Sequence, residues 1–246
     1  MIYKGYCCPN YFIKFGKKEH LEQLAKGQVF MRPYSYYRSL ELGQGDENEG
    51  LYKSYQTITL AKTVSDLQKG DSVSFPCYMS QESSFHRHIP IFCATFIGEE
   101  FIEEIEEKDG HASFIFKIPT ERFKKEFGAD SGLMVNYNEF LEQFRAYCKI
   151  QNNLYNEQGL VTYWDFEDKT NPWLEHRRSD FDSLFWEDES LRYQNEIRFL
   201  IGKDLANENE TLTFNIGEIK SALFEIEEFT YISIPCIKER DMKKAN

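Results

Sequence analysis

Gln194, Glu196 and Arg198 stand at alternate positions in the segment Leu191-Arg192-Tyr193-Gln194-Asn195-Glu196-Ile197-Arg198-Phe199-Leu200-Ile201. In a strand, alternate side chains project to one face. The segment therefore predicts an amide, a carboxylate and a guanidinium in one row, with Tyr193, Asn195, Ile197 and Phe199 on the opposite face. Gln194 and Glu196 can then address one ligand together, by hydrogen bonding and by charge. Two settings give the row different meanings. On a solvated face, Glu196 and Arg198 form an ion pair that contributes little. On the floor of a pocket, the same three groups form a polar binding surface.

Other combinations carry less chemistry. Asp46 and Glu49, on the glycine-flanked turn from Gly43 to Gly50, can hold a divalent cation or Arg38, or form an acidic surface turn. A calcium loop needs more oxygen ligands at alternating positions. His86-Arg87-His88 has no third ligand nearby and reads as a loop before a buried strand. The cysteines at 7, 8, 77, 93, 148 and 236 form no C-x-x-C pair and have no histidine at ligand spacing, so neither a metal site nor a structural disulfide is expected. Trp173, after Asn171-Pro172 in a polar stretch, can stack on a base or ring, although core packing or a loop anchor is the default for it as for Trp164 and Trp186. G-x-S-x-G, P-loop, H-E-x-x-H and G-x-G-x-x-G motifs do not occur.

The elements around the row follow from hydrophobic pattern and punctuation. Tyr11 to Phe15 predicts a first strand, and Glu19 to Lys26 a helix with Leu21, Leu24 and Ala25 inward and Gly27 ending it. Val29 to Arg32 predicts a second strand stopped by Pro33, followed by one or two helical turns over Tyr34 to Leu40. Tyr52 to Leu60 and Val73 to Met79 alternate as strands, and Ile89 to Ile97 reads as a buried central strand. Glu99 to Lys108 predicts an acidic helix with Phe101 and Ile105 on one stripe. Ala112 to Ile118 predicts a strand, Thr120 a cap for a helix over Glu121 to Phe127, and Gly128 its stop. Asn138 is expected to cap a longer helix to Gln151, with Leu141, Phe144 and Cys148 on one face. Leu160 to Tyr163 reads as extended, and Phe181 to Trp186 as a short helix feeding the Gln194 segment. Thr211 to Ile216 and Ala222 to Ile234 complete the strands. Strands outnumber helices without a regular βαβ alternation. The expected class is α+β, one domain over 1–246, with mixed or antiparallel sheets flanked by helices.

Gln194-x-Glu196 resembles the Q-x-E motif of ADP-ribosyltransferases. The resemblance implies that Glu196 is catalytic, holding the nicotinamide ribose of NAD and stabilising an oxocarbenium-like transition state as nicotinamide leaves. It implies that Gln194 orients the nucleophile. The family's first strand supplies Arg or His to the dinucleotide, where this chain has Lys14. Its second strand bears Ser or Tyr, where this chain has Arg32, Tyr34, Ser35 and Tyr36 at and just after the strand. Lys14, Arg32, Tyr34, Tyr36 and Arg198 are thus the nucleotide-contact candidates. The order strand, strand, late Q-x-E strand is shared. The chain also resembles a group of bacterial proteins of unestablished activity, with an N-terminal strand–helix–strand, an acidic "GD..EG" loop and a late "YQ.E.R" strand.

Three functions follow as expectations. The first is an NAD-using ADP-ribosyltransferase or NAD glycohydrolase, with a protein or nucleic acid as a transferase's acceptor and bacterial defence or toxin action as its setting. The second is a non-catalytic module that binds a nucleotide, another small molecule or a partner. The third is a metal-dependent nuclease recruiting Asp46, Glu49 and Glu196. A net charge of −12 opposes non-specific binding to nucleic acid. No apolar run approaches the roughly 18 residues that span a bilayer, and Met1 to Cys8 lacks a signal-peptide pattern. A cytoplasmic protein without a membrane partner is expected.

Overall fold

The computed structural model describes residues 1–38, 51–70, 72–82, 87–109, 111–165, 181–227 and 230–238. Asp46, Glu49, His86 and Trp173 lie outside them. In chain order the elements begin with β1 Ile2–Tyr3, β2 Tyr6–Cys7, β3 Tyr11–Gly16, α1 Lys18–Ala25, β4 Gln28–Pro33 and α2 Tyr34–Arg38. Next come β5 Leu51–Leu60, α3 Val64–Lys69, β6 Val73–Glu82, β7 Pro90–Phe96, β8 Ile102–Lys108 and β9 His111–Ile118. Then follow α4 Thr120–Phe127, β10 Ser131–Asn136, α5 Tyr137–Ile150, β11 Asn156–Leu160 and β12 Thr162–Trp164. The chain closes with β13 Trp186–Asp188, β14 Glu196–Ile201, β15 Leu212–Asn215, β16 Ser221–Glu225 and β17 Thr230–Lys238. The class is α+β, built from antiparallel sheets with few helices; β12 and β13 form a parallel pair.

The central sheet runs β11-β14-β7-β3-β10-β16, and one edge of β7 carries a fork. Strand β3 pairs β7 through Phe12↔Phe96 and Ile13↔Thr95. Farther along the same strand, β4 takes over through Arg32↔Ile91 and Pro33↔Pro90. The other edge of β7 pairs with β14 without interruption from Glu196↔Thr95 to Leu200↔Ile91. The partner switch opens a gap beside Phe92–Ala94. This gap is what positions the site.

One face of the sheet packs on α5. Phe12, Phe92, Phe140, Phe144 and Phe199 form its aromatic centre, with Phe140 and Phe199 ring centroids 4.9 Å apart and Phe12 and Phe140 5.1 Å apart. Asn136, not Asn138, caps α5: its side chain accepts from the Glu139 N–H at 3.1 Å, and Phe140, Phe144 and Cys148 form the buried stripe. The other face meets a second sheet, β1-β2-β17-β9-β8, through Ile13, Phe114, Phe116, Phe123 and Ile234.

Two further expectations are corrected. The segment expected as an acidic helix is a single turn at Glu99–Phe101 followed by edge strand β8, paired with β9. Phe101 and Ile105, four apart, suit a helix, but the segment pairs with β9 as a strand, with a bulge between Ile102 and Glu104. The glutamates along β8 place charge on an open sheet edge, which disfavours pairing with another chain. Thr120 does not cap α4; its hydroxyl donates to the Glu227 carbonyl at 2.8 Å. Gly128, at φ 59°, does end that helix in the left-handed region, where glycine carries no Cβ penalty.

Candidate functional site

The row of alternating polar residues forms by a kink. Glu189–Gln194 is a 3-10 helix, opened by the Asp188 carboxylate accepting from the Ser190 N–H at 3.0 Å. Asn195 then adopts φ 41°, a left-handed conformation that asparagine tolerates better than most residues. Its side-chain amide donates to the Phe96 carbonyl at 2.8 Å and to Glu100, which pins the kink to the end of β7. Strand β14 starts only at Glu196. Gln194 and Glu196 still converge, because the kink returns both side chains to one cavity. All six residues of β14 are buried, so the polar row is a pocket wall and not a solvated face.

Arg198 is the anchor of that wall. It is 1% exposed and is the largest fully buried side chain among the described residues. Its Nε donates to Glu196 Oε1 at 2.5 Å, one terminal nitrogen pairs with Glu187, and the other donates to the Leu184 carbonyl at 2.5 Å. Burial of a guanidinium demands such pairing, since an unpaired ion inside a protein is strongly disfavoured. The planar fork holds both carboxylates in set positions. The Glu196 N–H donates to the Tyr163 hydroxyl at 2.8 Å. Burial, with Glu196 and Glu187 nearby, pushes the Tyr163 phenol far above its ordinary range, so it stays protonated.

Lys14 enters through the fork. Between the β3 and β4 pairings the Cys93 carbonyl faces the gap, and Lys14 Nζ donates to it at 2.6 Å, 5.0 Å from the Phe92 ring centroid. Burial pushes the Lys14 ammonium below its ordinary pKa, opposed by Cys93 and Glu196. The cavity beside it measures about 140 Å³. Two cations, Lys14 and Arg198, and two carboxylates, Glu187 and Glu196, line it together with Thr95 and Gln194. Phe15, Phe123, Phe127 and Tyr37 supply apolar surface. A cavity near 150 Å³ accepts one benzene-sized ring, so this one takes a single ring or pentose. Glu196 Oε2 and Gln194 Oε1 accept no hydrogen bond among the described residues, which leaves two acceptors for a ligand.

Of the residues singled out in the sequence, Lys14, Gln194, Glu196 and Arg198 line this one cavity. Arg32, Tyr34 and Tyr36 do not. The Arg32 guanidinium stacks on the Tyr36 ring at 4.3 Å, and Tyr34 is fully buried among Ile89, Ile91, Leu184 and Leu200. Glu187 and Tyr163 escape sequence reasoning, since both reach the site from the small β12–β13 pair. The available signal is hydrogen-bonding capacity: a guanidinium on a buried strand has five N–H donors, more than Glu196 alone can accept. Trp164 and Trp186 line a separate, open groove of about 600 Å³. No group of three metal-ligating side chains occurs among the described residues, and no helix there is long and apolar enough to cross a membrane. Comparison with protein-family models, curated proteins and solved structures gives no match to this chain.

Proposed function

We propose that the cavity binds the ribosyl end of NAD and promotes cleavage of its bond to nicotinamide, making the protein an NAD glycohydrolase or an ADP-ribosyltransferase. The observation that supports this reading is the convergence of Gln194 and Glu196 on one single-ring cavity, with Glu196 Oε2 left open to it. As the glycosidic C–N bond breaks, its electron pair leaves with nicotinamide and positive charge develops at the anomeric carbon. A carboxylate about 4 Å from that charge contributes about 4 kcal/mol at an effective dielectric constant of about 20. That corresponds to roughly a thousandfold in rate. Arg198 holds the Glu196 carboxylate through Oε1, so its position requires no reorganisation during reaction. Water or an acceptor nucleophile then closes on the anomeric carbon. The remainder of the dinucleotide is too large for the cavity and lies outside it.

Incubation with NAD and chromatography for free nicotinamide tests this, with Glu196→Gln in parallel. The wild type releases nicotinamide, and the variant, assayed below its own melting transition because it loses a carboxylate of the buried cluster, falls at least a hundredfold. No release, together with no NAD-dependent rise in melting temperature, rejects the reading. A second reading is a binding module without turnover. It is favoured by the position of Arg32, Tyr34 and Tyr36 away from the cavity. Its signature is ligand-dependent melting with no product.

A further inference from the structure

Helix α4 closes the same cavity from the opposite wall, and its polar face is wired to Gln194. Phe123 and Phe127 line the cavity. On the next face, Arg122 Nε pairs with Glu126 Oε1 at 2.9 Å. Glu126 Oε2 accepts from the Tyr193 hydroxyl, and the Arg122 guanidinium lies 3.2 Å from the Tyr193 ring centroid. Gln194 Nε2 donates in turn to the Tyr193 oxygen at 3.3 Å.

The direction of this chain follows from what each group can do. A carboxylate ion-paired with arginine only accepts. Tyr193 has one proton and gives it to Glu126; burial and Glu126 both raise the phenol above its ordinary range, so the proton stays. The Tyr193 oxygen therefore faces Gln194 as an acceptor. An amide beside an acceptor must present its NH₂. Gln194 is thereby turned so that Oε1 is directed away from Tyr193, where it joins Glu196 Oε2 as a second open acceptor.

We propose that Glu126 and Tyr193 are positioning residues that set the hydrogen-bonding sense of Gln194, so that the Gln194–Glu196 wall presents paired acceptors and selects ligands bearing paired donors, such as the vicinal diol of a pentose. Naming the diol rests on the ribosyl reading above; the relay itself rests on the protein's own hydrogen bonds. Glutamine at position 126 can donate to the Tyr193 oxygen. The phenol proton then turns from position 126 toward Gln194, and the Gln194 amide turns over to offer NH₂ to the ligand. Phenylalanine at 193 removes the relay and leaves the amide unfixed.

The test uses the full chain and the side-chain amide signal of Gln194 in a proton–nitrogen correlation spectrum, assigned by its loss in Gln194→Met. In the wild type these amide protons are expected to exchange slowly, since Gln194 Nε2 donates to the Tyr193 oxygen. Tyr193→Phe is expected to speed exchange at least fivefold, and Glu126→Gln to shift the signal. Glu126 lies on the surface side of α4, so its variant serves if Tyr193→Phe fails to fold. Unchanged Gln194 signals in folded variants overturn the relay. D-ribose is then titrated against 2-deoxy-D-ribose. The wild type should prefer ribose by about tenfold and Glu126→Gln should lose the preference; equal response of both proteins to both sugars overturns donor selection. Failure of NAD cleavage with relay and sugar preference intact counts against the catalytic reading alone.

Discussion

Arg198→Met is the most informative single perturbation of stability. The guanidinium is 1% exposed and serves Glu187, Glu196 and the Leu184 carbonyl at once. Methionine fills similar volume but leaves two buried carboxylates facing each other without their shared cation. Breaking one buried ion pair by removing a partner costs about 3–5 kcal/mol, and the orphaned Leu184 carbonyl adds about 1–3 kcal/mol. Whole domains are stable by only about 5–15 kcal/mol, so the variant stands close to unfolding at neutral pH. The deficit should depend on pH. In the variant two carboxylates are buried together with no shared cation, and taking up a proton relieves both their desolvation and their repulsion. The folded variant then binds more protons than the unfolded chain, and its stability rises as pH falls. Urea unfolding followed by tryptophan fluorescence at pH 7.5 and 5.5 reads both effects. Adding Glu187→Gln and Glu196→Gln to Arg198→Met should restore about half of the loss or more, because no buried charge then lacks its partner. A loss under about 1 kcal/mol at pH 7.5, or one that the two glutamines do not relieve, would refute the buried-cluster argument.

Lys14 carries an alkaline signature. Its folded pKa lies below the ordinary 10.5, so between the two values the unfolded chain holds the extra proton and stability rises with pH up to that value. Lys14→Met should flatten this rise, seen as a difference in urea midpoints between pH 7 and 10; parallel curves refute the assignment. Phe199→Ala empties a fully buried position ringed by Phe12, Phe92, Phe140 and Phe144. It should cost about 3–5 kcal/mol by denaturant titration. Gly27 sits at φ 87°, and a Cβ there would collide with the Gly217 carbonyl. Gly27→Ala should therefore lower the melting temperature, whereas Gly70→Ala, with the same backbone strain but open space, should lower it less.

Much of the scaffold is legible locally. Gly27 and Gly128 punctuate α1 and α4, the apolar run at Pro90–Phe96 is the central strand, and the stripe Phe144–Cys148 marks the buried face of α5. Each is written in residues close together in the chain, where periodicity and caps act. The misread elements are those that distant partners decide. The acidic segment read as a helix from Phe101 and Ile105 became β8 because β9 offered a ladder, and the end of the polar row left the strand because Phe96 and Glu100 hold Asn195 in a kink.

The types of the candidate residues, an amide, a carboxylate and a guanidinium at alternate positions, were determined by the sequence alone. Tertiary structure decided that they are buried, that Glu187 and Tyr163 join them from a separate strand pair, and that Arg32, Tyr34 and Tyr36 do not. The physical reason is the partner switch on β7. A sheet edge that exchanges β3 for β4 leaves a carbonyl and a gap, and a half-buried lysine and a buried arginine are tolerated there because Glu196, on the arginine's own strand, and Glu187, from β13, supply the opposite charge.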